Sequence, residues 1–155
     1  MTNRSIKMLE ELHPHAQPRF VSFLCFLDSE LGENQYIVFE GRRTMETQEA
    51  YYAQGRMSLD EVNAVRRKVG LYLLRSDVDN YIITWTYKSK HIDGLAMDVL
   101  PVDGRGSPTW DLAHYRRAFE LIRNAGRGAG LECGADWLPP YTDWPHYQID
   151  SKGEL

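Results

Sequence analysis

His91, Asp98 and His146 constrain this chain more than any other feature of it. The first two lie in Ser89-Lys90-His91-Ile92-Asp93-Gly94-Leu95-Ala96-Met97-Asp98, and the third closes Asp143-Trp144-Pro145-His146. Two imidazoles and one carboxylate are the ligand set of a catalytic zinc that keeps a fourth position open for water. If these groups act together, the fold must meet two demands. The Asp93-Gly94 turn signal must fold its flanks back so that His91 approaches Asp98. A separate segment must then bring in His146, with Pro145 restricting the backbone that aims its ring. Asp143, three residues before the last histidine, is spaced to take the water's proton, so the pattern points to metal-assisted hydrolysis.

Taken singly, each histidine has a plain structural explanation. The functional reading draws its weight from three suitable groups beside turn punctuation, with Asp143 added. His13 and His15 flank Pro14 and read as surface residues, and His114 falls away from the apolar positions of its helix. Asp93 reads as a turn residue and not as a ligand.

A chain of 155 residues is expected to form a single domain over 1–155. A domain of that size buries roughly 68–70% of its unfolded surface and needs no disulfide or metal to stay folded. The net charge of −4 argues against nucleic acid as a partner. Cys25 and Cys133 form no C-x-x-C pair, which disfavours a cysteine zinc site; both are expected to be small buried hydrophobes. The apolar run Phe20–Leu27 ends in Asp28 and Glu30, lacks a following small-residue cleavage site, and is too short to span a bilayer. The expectation is a protein made in the cytoplasm without a signal peptide and without stable membrane insertion. A monomer is the default.

The fold class reads as α+β, with helices packed on a small antiparallel sheet. Helices are expected over Ser5–Leu12, from Pro18 to about Leu31 before Gly32, over Thr44–Gln54, and from Leu59 to about Val69 behind a Ser58/Glu61 capping box. A further helix opens at Pro108-Thr109 with Leu112, Tyr115, Phe119 and Ile122 on one face, and it ends in the glycine cluster from Gly126 to Gly130. That cluster follows a helix and lacks the dinucleotide and Walker patterns. Expected strands are a buried one at Gln35–Glu40, a strong one at Tyr81–Tyr87, Ala96–Leu100, and short ones at Leu131–Cys133 and Tyr147–Ile149.

Ser89, His91, Gly94, Ala96 and Asp98, followed downstream by Asp143 and His146, resemble the Ser-x-His-x-x-Gly-x-Ala-x-Asp and acid-x-x-His signature of the zinc D-alanyl-D-alanine carboxypeptidase and dipeptidase family. Three further segments are similar to its branch of L-alanyl-D-glutamate peptidases, many of which are phage endolysins. They are Gly41-Arg42-Arg43-Thr44 with Gln48 and Tyr52–Arg56, Ile82–Thr86, and Gly130–Trp137. The resemblance runs from about Val38 to Gln148. The branch usually has an aromatic where Cys133 stands and a glycine where Ala135 stands. Aspartate at 143, where the dipeptidases carry glutamate, favours the L-alanyl-D-glutamate branch.

The resemblance implies a hedgehog/DD-peptidase-like fold, with Zn2+ on His91, Asp98 and His146, and Asp143 as general base and later acid. It turns Arg43 from a surface arginine pairing with Glu40 or Glu46 into the stabiliser of the oxyanion. Gln48 and Asp136 are weaker candidates for orienting Arg43 or a ligand histidine. Ser89 either bonds substrate, orients the ligand loop or stabilises a turn. Trp137, Trp144 and Tyr147 either line the cleft or fill the core. The implied substrate is the peptidoglycan stem peptide, cut between L-alanine and D-glutamate. The implied setting is a phage lysis enzyme without a wall-binding module, reaching the cell wall after holin-type release. The alternatives are a D-alanyl-D-alanine carboxypeptidase or dipeptidase of the same fold, and a zinc-containing binding domain without catalysis.

Overall fold

Along 96–101 the side chains alternate between two faces of a sheet, and this alternation separates the core from the candidate site. The computed structural model describes residues 1–150. In chain order its elements are α1 (Asn3–Glu11), α2 (Gln17–Glu30), β1 (Tyr36–Glu40), α3 (Met45–Ala53), α4 (Leu59–Lys68), β2 (Ala96–Pro101), α5 (Leu112–Gly128), β3 (Glu132–Cys133) and β4 (His146–Gln148). Single 3-10 turns lie at Asp77–Asp79 and Gly134–Asp136. No helix among the described residues is long and apolar enough to cross a membrane.

Two compact units emerge: Met1–Arg42 with the chain from Asp93 onward, and Arg43–Ile92. The first holds the sheet, whose strand order is β1-β2-β4-β3 and whose pairs are all antiparallel. Met97 and Val99 of β2, Tyr147 of β4 and Cys133 of β3 point to one face. There they meet Phe20, Phe23, Leu24 and Leu27 of α2 and Ile122 of α5, and the Phe23 and Tyr147 rings lie 4.6 Å apart. With a period of two, Asp98, His146, Gln148 and Glu132 fall on the opposite face. The α+β class, with helices on a small antiparallel sheet, is the one the sequence leads to.

Helix starts follow local chemistry. Thr2, Thr44 and Ser58 each accept a backbone N–H three residues on, and Asp111 does the same for His114 at the start of α5. Helix α5 therefore begins at Leu112 and not at Pro108-Thr109, where Val102 bridges Pro108 and the Thr109 N–H bonds the Pro101 carbonyl at 3.0 Å. Strand β1 is an edge strand, so its expected full burial does not hold: Tyr36 and Val38 are buried while Phe39 is 39% exposed. Cys25 is exposed on α2 and Cys133 is buried, both as free thiols, which corrects the expectation of two buried cysteines.

The second unit contains α3 and α4, which pack together through Ala50, Ala53 and Val62. Tyr81–Tyr87, expected as a strand, is irregular. Good sheet formers make a strand only where a neighbouring strand takes their N–H and C=O groups, and no such partner is present here among the described residues. Side chains hold the segment instead. The Arg56 guanidinium donates to the Thr84 carbonyl at 3.0 Å, and the Gln48 amide donates to the Thr86 carbonyl at 2.6 Å.

Candidate metal centre

Asp98 and His146 are direct register partners across β2 and β4. Opposed residues on one face of an antiparallel pair hold their Cβ atoms about 4.5–5.5 Å apart, close enough for short polar side chains to meet. Here the imidazole Nδ1 stands 3.3 Å from the carboxylate Oδ1 of Asp98. His146 is buried at 7% exposure and His91 at 2%. His91, Asp98 and His146 each offer one ligand atom, and these atoms all lie within 4.8 Å of one another.

The turn before β2 is fixed by its backbone. Gly94 has φ +71°, a backbone conformation that side chains disfavour, and a Cβ there would stand 2.7 Å from the His13 backbone nitrogen. The Gly94 carbonyl accepts the His13 N–H at 3.0 Å, tying this turn to the α1–α2 connection. Ser89 is buried, and its Oγ accepts the His91 N–H at 3.2 Å. This is the short-range bond by which a serine stabilises a turn. Asp93 is exposed, as a turn residue should be.

A second turn delivers His146. The Asp143 N–H donates to the Gly134 carbonyl at 2.8 Å, and the His146 N–H donates to the Asp143 carbonyl at 3.2 Å. Asp143 itself is exposed. The turn lies so close over Gly134 that a Cβ there would be 2.3 Å from the Asp143 carbonyl oxygen. Trp137 is half-buried with its ring 5.0 Å from the His146 ring, so it flanks the candidate ligand. Tyr147 is core, and half-buried Trp144 packs on Phe119 with the guanidinium groups of Arg116 and Arg123 over its ring.

Burial works against a charged imidazole at His146. Hydrogen bonding and charge from Asp98, the charge of Asp143, and Gln148 together outweigh it, so the group titrates above the ordinary imidazole range. One partner of His146 and a group behind it had no signal in the motif. Its Nε2 lies 2.8 Å from the Gln148 Oε1, and the Gln148 amide nitrogen donates to the Glu132 carboxylate. Strand alternation could have revealed Gln148, two residues beyond the ligand; Glu132 needs the β3–β4 register, where it opposes Gln148. Both carboxylate oxygens of Asp136 accept from Arg127.

Within the second unit, Arg43 is held from three directions. Its backbone N–H donates to the His91 carbonyl at 2.9 Å, its Nη1 donates to the Gln48 Oε1 at 2.5 Å, and its guanidinium carbon lies 4.7 Å from the centroid of the Tyr51 ring. Gln48 is fully buried.

No family model matches the chain, and no curated protein matches its sequence. Among solved structures it is similar to the L-Ala D-Glu endopeptidase ChiX of Serratia marcescens, with 23% identity and a TM-score of 0.55 over 96% of this chain and 88% of that one. It is also similar to the vancomycin resistance D,D-pentapeptidase VanY of a VanB-type cassette, solved as a mutant in complex with Zn(II), with 19% identity and a TM-score of 0.49 over 89% of this chain and 72% of that one. The likeness to ChiX establishes the fold: this chain shares the architecture of that endopeptidase over nearly its whole length.

Proposed function

We propose that the chain is a zinc peptidase that hydrolyses the L-alanyl-D-glutamate bond of peptidoglycan stem peptides, in the manner of a phage lysis enzyme. The single observation that carries the metal reading is the Asp98–His146 pair. Gln148 stands against Nε2 of His146 and Asp98 against Nδ1, so both ring nitrogens face an oxygen. A lone pair against a carboxylate oxygen at 3.3 Å is repulsive unless a proton or a cation lies between them. The donor set of two imidazoles and one carboxylate fits Zn2+. Bound there, zinc would supply Lewis acidity, polarising a carbonyl and making water a stronger acid.

The residues around the pair have separate tasks. Asp143, exposed on the turn before His146, takes a proton from the attacking water and returns it to the departing amine. Arg43, fixed by Gln48, offers a permanent positive charge to the oxygen that becomes negative as the carbonyl is attacked. Trp137 supplies an apolar wall beside His146. The choice of bond is supported by the resemblance of the Arg43 and Gly130–Trp137 segments to the L-alanyl-D-glutamate branch, by aspartate at 143, and by the fold shared with ChiX, an L-Ala D-Glu endopeptidase.

Mass spectrometry of purified peptidoglycan after digestion, with and without a chelator, tests the reading. New D-glutamate amino termini that vanish with the chelator are expected. Loss of terminal D-alanine would move the enzyme to carboxypeptidase chemistry. An intact wall after treatment with zinc-loaded protein would reject catalysis altogether.

A further inference from the structure

We infer that Glu132 and Gln148 are positioning residues that hold His146 as its Nε2–H tautomer and so present the Nδ1 lone pair to the metal. The inference rests on the metal reading above and adds a determinant of metal affinity outside the ligand set.

The argument is a matter of donors and acceptors. A carboxylate can only accept, so Glu132 compels the Gln148 amide to turn its NH2 toward it. The amide oxygen then faces His146 at 2.8 Å, and an oxygen there requires a hydrogen on Nε2. Burial makes the order costly to break, because Gln148 is 9% exposed and His146 7%. The strands fix the spacing as well. His146 and Gln148 share one face of β4, and Glu132 is the cross-strand partner of Gln148 on β3.

Without Glu132 the amide is free to flip. Its NH2 would then donate to Nε2, the ring hydrogen would move to Nδ1, and that hydrogen would satisfy Asp98 directly across 3.3 Å. The protein would have closed the site on itself, and a metal would have to displace that hydrogen. Glu132 therefore biases which ring nitrogen keeps the hydrogen when His146 is neutral.

Two readouts on the full chain test this. One is the tautomer of His146 in the metal-free protein, read by nitrogen NMR of the ring above its titration. The other is zinc affinity, read by competition with a chromophoric chelator. The unaltered chain should show Nε2–H. Glu132→Met should shift the ring toward Nδ1–H and weaken zinc binding by about 10–100-fold, the usual effect of losing a group that orients a ligand. The exchange Glu132→Gln with Gln148→Glu keeps a donor and acceptor chain of the same shape, with its direction preserved at His146. It should restore the tautomer and bring affinity back to within a few fold. Nδ1–H in the unaltered chain, or a Glu132→Met protein with unchanged tautomer and affinity, would overturn the inference. If Glu132→Met does not fold, the exchanged pair decides, since loss of Nε2–H there also overturns it. Failure of the metal reading looks different: the unaltered chain would bind no zinc, while the tautomer arm would still decide the present question.

Discussion

The Nδ1 of His146 and the Oδ1 of Asp98 face each other at 3.3 Å across two hydrogen-bonded strands. Asp98 belongs to the segment that follows the Asp93-Gly94 turn, and His146 ends a loop from the far side of α5. Their pairing converts two distant motifs into one site, and it sets up the first expectation.

Zinc should stabilise the protein and a chelator should reverse the effect. At free zinc near 100 times Kd, ligand linkage contributes about 2.7 kcal/mol. Thermal unfolding of metal-free and zinc-loaded samples measures it, with His146→Ala as the comparison. A His146→Ala protein with undiminished zinc stoichiometry and the same thermal shift would remove His146 from the ligand set.

Asp143→Ala should fold normally and keep its zinc, because the side chain is exposed and outside the core. Turnover should fall by about 10²–10⁴-fold, the usual contribution of a positioned general base. Activity near that of the unaltered enzyme would assign the proton transfer to another group.

Arg43→Ala should lower kcat by about 10²–10³-fold and also cost some stability, because it removes the donor to the buried Gln48 Oε1. Gln48→Leu should do both kinds of damage. It removes the amide donor to the Thr86 carbonyl and the acceptor that holds Arg43, at a cost of about 0.5–1.5 kcal/mol in stability, with a parallel loss of kcat. Full activity in Gln48→Leu would show that Arg43 needs no such anchor.

Gly134→Ala should disable the site from below. The new Cβ would meet the backbone oxygen of Asp143 at 2.3 Å, and backbone cannot swing away as a flexible side chain can. The turn carrying Asp143 and His146 must move, so zinc affinity and activity should fall together. Gly104→Ala, where nothing lies within 4 Å of the added atom, is the control. Equal behaviour of the two variants would count against the close approach.

The two thiols should differ in reactivity. Burial, with the charge of Asp136, pushes Cys133 up from 9.0 to about 11, whereas Cys25 is exposed. At pH 8 a thiol reagent should modify Cys25 quickly and Cys133 only after unfolding. The linkage follows in sign. Between pH 9 and 11 the unfolded chain has lost this proton and the folded one retains it, so stability should fall as pH rises through that window. Denaturant midpoints across that range test it, and a flat profile for the unaltered protein against Cys133→Ala would contradict the shift.

The helices were legible because their signals are local: Thr44, Ser58 and the periodic apolar positions of α5 act within a turn or two of themselves. The turn at Gly94 was legible for the same reason. Tyr81–Tyr87 misled because β-propensity describes a residue's fit to a sheet and does not supply the sheet. Cys25 misled because a small apolar side chain carries no mark of which helix face it occupies. Edge position likewise decided that Phe39 of β1 would be half exposed.

By itself the sequence determined the chemistry on offer: two imidazoles and a carboxylate in a resembling signature, an acid before the last histidine, and helices and strands in an α+β order. Those are properties of residue identity and short-range spacing. Only the tertiary structure decided that Asp98 would oppose His146, that Gln148 and Glu132 would stand behind the ring, and that Asp136 would go to Arg127. Cross-strand register depends on the burial of a whole sheet face, Met97, Val99, Tyr147 and Cys133 against α2 and α5. A one-residue slip would send every one of these polar groups to the wrong side.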